Sequence, residues 1–463
     1  MLYEINATVR IRSPLHVGSG SWRHVAAVKG KNGSSSGGNT APDVASIQRD
    51  AAGLPYVPGA TWKGLFRRLG ESLFNAPGST ASSAEVERLF GTISSRDEGQ
   101  MGLAIFRGSS MSKPGDASQM PYADKDDVGY GPSLLGKGVF VSARTRIDPA
   151  TGTAADAKLY FQEMVAAGAE FPLTIILDFR NNDGRASQVL EDMVHILSQL
   201  VSGAPAIGKG TKNAFGELSI VPKSVKLTKR TLGQNLKINE DDVTYVWTNR
   251  TERKPPEPVW QETFRMVCEG PFIVLDSSRT SKEKQSPDDR KPQLQAQRVS
   301  KNLPLLLGSG ISGALRAQTC WLEALKQHRK GTDQLVDDPD HVVRSSDDIG
   351  DLTPVQRLFG VTGFKGLLSL EAIEVAQATP WDVTSVKLDR FSGAPIDNAL
   401  FTSATFVGTR LSFRLSMAAR PGLTPNADDI ALAKDLSEQI KTEGLMLGHG
   451  TNKGFGWFEQ QGD

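Results

Sequence analysis

The chain repeats itself, and a duplicated chain folds as two related units joined by a connector. Gly208, Gly210, Thr211 and Gly216, in GAPAIGKGTKNAFGELSIV, return as Gly448, Gly450, Thr451 and Gly456, in LMLGHGTNKGFGWFEQQ, with a shift of 240. Arg88-Leu-Phe-Gly91 recurs as Arg357-Leu-Phe-Gly360. Residues Ile47–Arg68 are echoed by Ala296–Ala317, with a shift of 249. A weaker echo links Asp148, Gly152 and Leu159 to Asp389, Gly393 and Leu400. Four matches in one order place a first copy at residues 1–230 and a second at 261–463. The polar, Pro-containing stretch 231–260 between them reads as a linker.

Each copy carries the same alternation of periods. Ile5, Ala7, Val9 and Ile11 alternate with polar residues as a half-buried strand does. Trp62, Leu65, Phe66, Leu69 and Leu73 recur at helical spacing after Gly59. Leu103–Phe106 and Leu173–Phe179 are strand-like, Val189 to Leu200 is helical, and GELSIV closes the copy as a strand. In the second copy Leu411, Phe413, Leu415 and Met417 alternate, and Ile430, Ala433, Leu436 and Ile440 line a helix. The order β-α-β-β-α-β predicts an α+β protein of two tandem ferredoxin-like (RRM-like) domains. Residues 23–46 and 107–138 are too polar and Gly/Ser-rich to pack a core, and read as insertions that are either functional or disordered.

Lys and Arg number 53 against 52 Asp and Glu, a net charge of +1 over 463 residues. This excludes an acidic tail and a uniformly basic coat, so any nucleic-acid face is local or shared with other subunits. No apolar run approaches the roughly 18–20 residues of a membrane span. MLYEINATVRIRSPLHV lacks the pattern of a signal peptide, and the reading is a cytoplasmic protein without a membrane partner. Two cysteines, Cys268 and Cys320, exclude a disulfide framework. Six scattered histidines give no zinc pattern; His195 reads as a core or boundary residue and His16 stays ambiguous. Gly203–Gly210 nearly spells a P-loop, but Gly210 stands where magnesium needs Ser or Thr and a helix precedes it where a strand is required. Gly33–Gly37 imitates a nucleophile elbow within low-complexity sequence.

The repeated loops read in two ways: as backbone N–H cradles for phosphate, or as tight turns needing glycine for its dihedrals. Basic residues beside both copies favour RNA backbone binding by Gly208, Lys209, Gly210, Thr211 and Lys212, and by Gly448, His449, Gly450, Thr451 and Lys453. Helices starting at Gly59 and Gly308 offer N-termini to phosphate, with Lys63, Arg67 and Arg68 extending from the first. Arg49 and its counterpart Arg298 join this set.

Pro14-Leu-His-Val-Gly-Ser-Gly20, Asp43-Val-Ala-Ser-Ile-Gln-Arg49, Gly53-Leu-Pro-Tyr-Val-Pro-Gly59 through Lys63-Gly64, and Leu89-Phe-Gly91 resemble the RAMP superfamily of CRISPR-associated proteins. More narrowly, they resemble backbone subunits of type III effector complexes, and two repeats in one chain resemble the tandem fusions of type III-D systems. The resemblance implies stacking with other subunits along a guide RNA, and a β-hairpin thumb pushed through the guide–target duplex. It also implies endonucleolytic cleavage of the target RNA by an aspartate in the loop after the first strand, with Mg2+ or Mn2+. Asp43 occupies that position, as catalytic residue and metal ligand. The residue aligned with it in the second copy is Pro292, and a short gap brings Asp288 or Asp289 to the site instead. The resemblance leaves two other roles open: an RNA-binding scaffold without catalysis, and a guide-processing endoribonuclease using His16 or His24.

Overall fold

A computed structural model describes residues 1–24, 43–75, 82–92, 99–115, 138–148, 153–156, 158–179, 186–202, 205–221, 223–232, 238–243, 257–275, 292, 294–300, 302–332, 335–338, 340–345 and 347–462. The protein is α+β, with two sheets built alike. In the first copy the strands are β1 (Leu2–Ile11), β2 (Ala104–Phe106), β3 (Glu170–Asp178) and β4 (Leu218–Ile220). In the second they are β5 (Trp260–Cys268), β6 (Leu368–Leu388), β7 (Pro395–Met417) and β8 (Trp457–Gln460). The spatial orders β4-β1-β3-β2 and β8-β5-β7-β6 are the same order repeated, antiparallel throughout.

Helices α1 (Gly59–Phe74), α2 (Ala186–Ser202), α3 (Gly308–Lys330) and α4 (Ala427–Glu443) bring apolar stripes to these sheets. Trp62, Leu65, Phe66 and Leu73 of α1 are buried with Ile5, Val9, Ile175 and Leu197 in one core. Ile311 and Leu315 of α3 join Phe264, Phe413, Leu436 and Phe458 in the other. Burial of such faces is the main stabilising term for both units.

The repeated Arg-Leu-Phe-Gly motif ends a short helix in each copy, Ala84–Phe90 and Pro354–Phe359. Gly91 and Gly360 both have φ near +87°, a conformation that favours glycine. Arg67 Nη1 donates to the carbonyl of Gly91 at 3.1 Å, and Arg316 Nη1 to that of Gly360 at 2.9 Å.

The stretch expected as linker departs from the sequence reading. Lys226–Leu232 and Ile238–Asp242 form a hairpin that extends the first sheet beside β1, past Arg230. Residues 238–242 are wholly exposed, so no apolar alternation marks them. Opposite charges pair across the hairpin instead, Lys229 facing Asp241 and Arg230 facing Glu240, the usual cross-strand stabilisation.

Between the second and third strands each copy throws out a hairpin. In the first, Val139–Arg144 pairs with Tyr160–Val165 and the Asp148 N–H donates to the Thr153 carbonyl at 2.8 Å. In the second, the outer parts of β6 and β7 pair as far as Leu388 and Pro395, and the Asp389 N–H donates to the Ala394 carbonyl at 2.8 Å. Trp381, Leu388, Phe391 and Leu400 stand exposed on the latter.

Candidate nucleic-acid interface

Each glycine loop follows one hydrogen-bond skeleton. In the first copy the N–H groups of Ile207, Lys209, Asn213 and Gly216 donate to the carbonyls of Gly216, His16, Gly210 and Pro14. In the second, Leu447, His449, Lys453 and Gly456 donate to Gly456, Ile273, Gly450 and Pro271. Gly216 and Gly456 have positive φ, and a Cβ there would lie 2.0 and 1.8 Å from the carbonyl oxygens of Ile207 and Leu447. The loops therefore need glycine for close turns, and those amides are not available to cradle phosphate. Gly208, Gly210, Gly448 and Gly450 also have positive φ.

The side chains on the two loops meet different surroundings. Lys209 is exposed, with Nζ 6.0 Å above the Tyr160 ring. Lys212, expected at an RNA surface, instead donates to the Leu367 carbonyl at 2.9 Å and to Ser369 Oγ at 2.7 Å, across the seam between the copies. Burial, then the charges of Lys365 and Arg420, push its ammonium down to about 7. Thr211 Oγ1 accepts from Lys365 Nζ at 3.2 Å. On the second loop Gly448, His449 and Lys453 are exposed, and Lys453 Nζ lies 5.1 Å from the Phe401 ring. Burial first, then Lys453, holds His449 below the usual imidazole range.

The other expected contacts divide similarly. A Cβ on Gly59 would lie 2.3 Å from the Phe106 carbonyl oxygen, and one on Gly308 2.0 Å from that of Asn213, so both glycines serve close packing at a helix start. Lys63 is half-buried on α1. Arg67 pairs with Glu71 at 3.0 Å besides capping Gly91; it braces the helices rather than facing a ligand. Arg49 donates to the Gly53 carbonyl and reaches Glu163 Oε2 at 3.3 Å. Arg298 reaches Gln295 Oε1 at 3.3 Å.

Asp43 is exposed at the head of the strand Asp43–Ile47, opposite His24 in the antiparallel ladder with Gly18–His24. The same strand runs parallel to Tyr160–Val165. Glu163, which sequence reasoning passed over, is fully buried in that small sheet and accepts the Ile47 N–H at 3.0 Å besides holding Arg49. The one hint was a carboxylate inside the apolar run FQEMV, since buried acids need partners. His16 lies buried beneath, its Nδ1 2.7 Å from the Glu163 carbonyl oxygen, and burial holds it below the usual imidazole range. A histidine so placed offers no exposed base. The side chain of His24 lies outside the described residues.

The second copy keeps this backbone and changes its polar side chains. The Gln48 N–H donates to Val17 and the Gln297 N–H to Val274. The bridge Ala45–Gln162 is matched by Leu294–Ser403. The shift of 249 therefore holds up to Leu294, and puts Pro292 at the position of Asp43. Ile273 replaces His16, and Ala404 replaces Glu163. Asp288 and Asp289 lie outside the described residues. Among the described residues no group of three or more His, Cys, Asp or Glu is arranged to hold a metal ion. Asp43 alone suits Mg2+ only in the common manner in which one carboxylate shares the ion with water and substrate phosphates.

A groove of about 570 Å3 runs between the copies. Arg144, Arg146, Lys158 and Tyr160 line it from the first hairpin, and Ser309 and Gly448 from the second copy. Arg146 and Lys158 both pair with Asp340, at 3.0 and 3.2 Å. Among the described residues no helix is long and apolar enough to cross a membrane.

A search of curated proteins found no match. The model of the RAMP superfamily matches twice, over residues 8–219 and 243–459, and each match spans one strand order, one glycine loop and one hairpin. The doubled match covers nearly the whole chain, and the protein belongs to the RAMP superfamily.

Proposed function

We propose that this chain is a tandem backbone subunit of a type III, D-like CRISPR effector complex, cutting target RNA at its first repeat through Asp43 and serving as scaffold at its second. RAMP proteins generally bind CRISPR RNA and work in multi-subunit complexes. The strand order of each sheet supports the ferredoxin-like reading, and the two hairpins are the candidates for thumbs. The observation that carries the assignment of chemistry is the contrast between equivalent positions: Asp43, His16 and Glu163 in the first repeat against Pro292, Ile273 and Ala404 in the second.

In this reading Glu163 fixes the strand through Ile47 and Arg49 and so positions Asp43 at its exposed head. The Asp43 carboxylate orients the target's own 2′-OH and takes its proton as the oxygen attacks the adjacent phosphorus in line. A 2′,3′-cyclic phosphate closes while the bond to the 5′-oxygen of the next nucleotide breaks, and that oxygen leaves, taking up a proton from water. Mg2+ or Mn2+, shared between Asp43 and the RNA, would supply charge neutralisation at the phosphate. Groups exposed on the loops, Lys209, His449 and Lys453, take the RNA backbone.

Reconstituted complex carrying Asp43→Asn is the test. Target binding stays within about twofold while one cut in the ladder falls by at least about 100-fold, the usual scale for a lost general base. A 2′-deoxy nucleotide at that position blocks the same cut in the wild type. An unchanged ladder would leave a scaffold without catalysis. Cleavage of precursor guide RNA by the isolated chain would instead point to a processing enzyme, a reading that buried His16 disfavours.

A further inference from the structure

The seam between the repeats gathers cations that have no counter-ion among the described residues. Arg68 on α1 donates to the Ala206 carbonyl at 2.6 Å, at the root of the first glycine loop. Lys365, just before β6, reaches Thr211 on that loop. Lys212 reaches back from the loop to Leu367 and Ser369. Arg420, after β7, donates to the carbonyls of Lys365 and Gly366 and lies 5.3 Å from the Phe364 ring. Every hydrogen-bond partner named here is a neutral carbonyl or hydroxyl. Two carboxylates act on the cluster from a distance, and both are taken: Glu71 pairs with Arg67, and Glu371 with Arg414. Among the described residues none of the four cations is in an ion pair. Lys365 and Arg68 are exposed, and Arg420 is half-buried.

Like charges held this close repel one another, and that repulsion adds to burial in lowering the ammonium groups. Partial desolvation, then Arg68 and Arg420, push Lys365 down to about 8. A group of cations fastened by neutral acceptors, and open to water on one side, is poised to take an anion. Phosphate suits it better than carboxylate, because its several oxygens can share the remaining N–H donors of two guanidinium groups and an ammonium.

The site is also particular to this junction. Gly102 and Gly366 have the same close neighbours, the backbones of Leu89–Gly91 and Leu358–Gly360. That equivalence puts Met101 where the second repeat has Lys365. The shift of 249 puts Ala317 where the first has Arg68. The first repeat supplies Arg68 and Thr211, the second Lys365 and Arg420, and neither alone holds the set.

We infer that Arg68, Lys365 and Arg420, with Thr211, form a phosphodiester-binding site that clamps one backbone phosphate of a bound RNA strand across the seam between the repeats. The inference rests on the RNA-binding reading above and adds a contact that straddles the duplication. Because both repeats supply ligands, an occupied site ties them together.

The test uses the full chain and a labelled single-stranded RNA, in two unrelated sequences, titrated across a salt series in phosphate-free buffer. Each neutralised phosphate contributes roughly −0.7 to the slope of log K against log salt for a single strand. Lys365→Met, the residue the first repeat carries there, and Arg68→Ala, the residue of the second, should each make the slope shallower by about 0.7 for both sequences. The double variant should show little further loss if one phosphate is shared. Thermal melts check that the exposed substitutions leave the fold intact. A second arm adds inorganic phosphate, expected to raise the melting temperature of the wild type and not of Lys365→Met. Wild-type RNA binding with unchanged slopes in both variants overturns the site and leaves the RNA-binding reading standing. A shift with inorganic phosphate alone, and none with RNA, also overturns it and marks an adventitious ion only. A wild-type chain that binds neither RNA sequence overturns the reading itself.

Discussion

The loops Gly208–Gly216 and Gly448–Gly456 share one hydrogen-bond skeleton and keep different company. The far half of the first is sunk against the second repeat: Asn213 bridges Leu370, Ala214 joins the second core, and Phe215 packs with Leu305. At the equivalent positions on the second loop Lys453 and Gly454 are exposed, and Phe455 is half-buried against Ile273 and Phe406 of its own repeat. The difference teaches that the glycine pattern encodes backbone turns alone. Residues between the glycines are free to answer to whatever lies outside, a sister repeat in one case and open surface in the other. The site residues follow the same rule, since the frame around Asp43 is kept around Pro292 while its polar members are not.

The strongest way to break the comparison is to attack what the loops share. Gly216→Ala and Gly456→Ala each force a Cβ into a backbone carbonyl at positive φ, so something must shift. Both should cost on the order of 4 kcal/mol, at the severe end for single substitutions. Denaturant unfolding followed by intrinsic fluorescence would read this. Similar losses at the two sites support one skeleton. A mild effect at either would show that its loop is held by its surroundings instead.

Next in size is a pair where the repeats differ. Arg357 forms a two-pronged pair with Asp429, at 2.9 and 2.7 Å, and Asp429 is buried while capping α4. Arg88, its counterpart, makes no such pair among the described residues. Arg357→Met should destabilise by about 3 kcal/mol, because it strands a buried carboxylate. Arg88→Met should stay within about 0.5 kcal/mol, as an ordinary partly exposed substitution does. Equal losses would mean that Arg88 has a load-carrying partner of its own.

These contrasts also explain what the sequence made legible. Helix α1 was readable because a single face buries Trp62, Leu65 and Phe66, which fixes a 3.6-residue period. The turns were readable because positive φ restricts residue choice in both copies. The hairpin β6–β7 was readable only near Leu411–Met417, where one face is buried, and its outer part exposes Trp381 and Phe391 with no core to impose alternation. Lys212 was misread because a lysine in a glycine loop looks like surface, and only the fold puts a second repeat against it. Arg67 misled similarly, since its partners Gly91 and Glu71 are set by packing. Asp43 is a candidate through family resemblance alone, because an exposed carboxylate beside a polar insertion carries no periodic signal.

The smallest expected effect sharpens the comparison at the seam itself. Lys212 is the first loop's answer to its neighbour, and its second-loop counterpart is Asn452. Burial lowers it first, then Lys365 and Arg420, with Arg68 adding a little and Glu371 opposing, so that its proton leaves near pH 7 in the folded protein. In the unfolded chain an ordinary lysine holds that proton to about pH 10.5. Between these values the unfolded state binds more protons, so stability rises with pH across that window, by at most about 1.4 kcal/mol per pH unit for one full proton. Lys365, lowered to about 8, adds a rise of the same sign at higher pH. Below pH 7 both states are protonated at Lys212 and its contribution to the slope vanishes. Melting temperatures of the wild type in phosphate-free buffer should therefore climb from pH 7 to 9.5. Lys212→Met should climb less across that whole range, and Lys453→Met, on the exposed loop, should track the wild type throughout. Parallel curves for wild type and Lys212→Met would place that ammonium in water and remove the distinction between the loops.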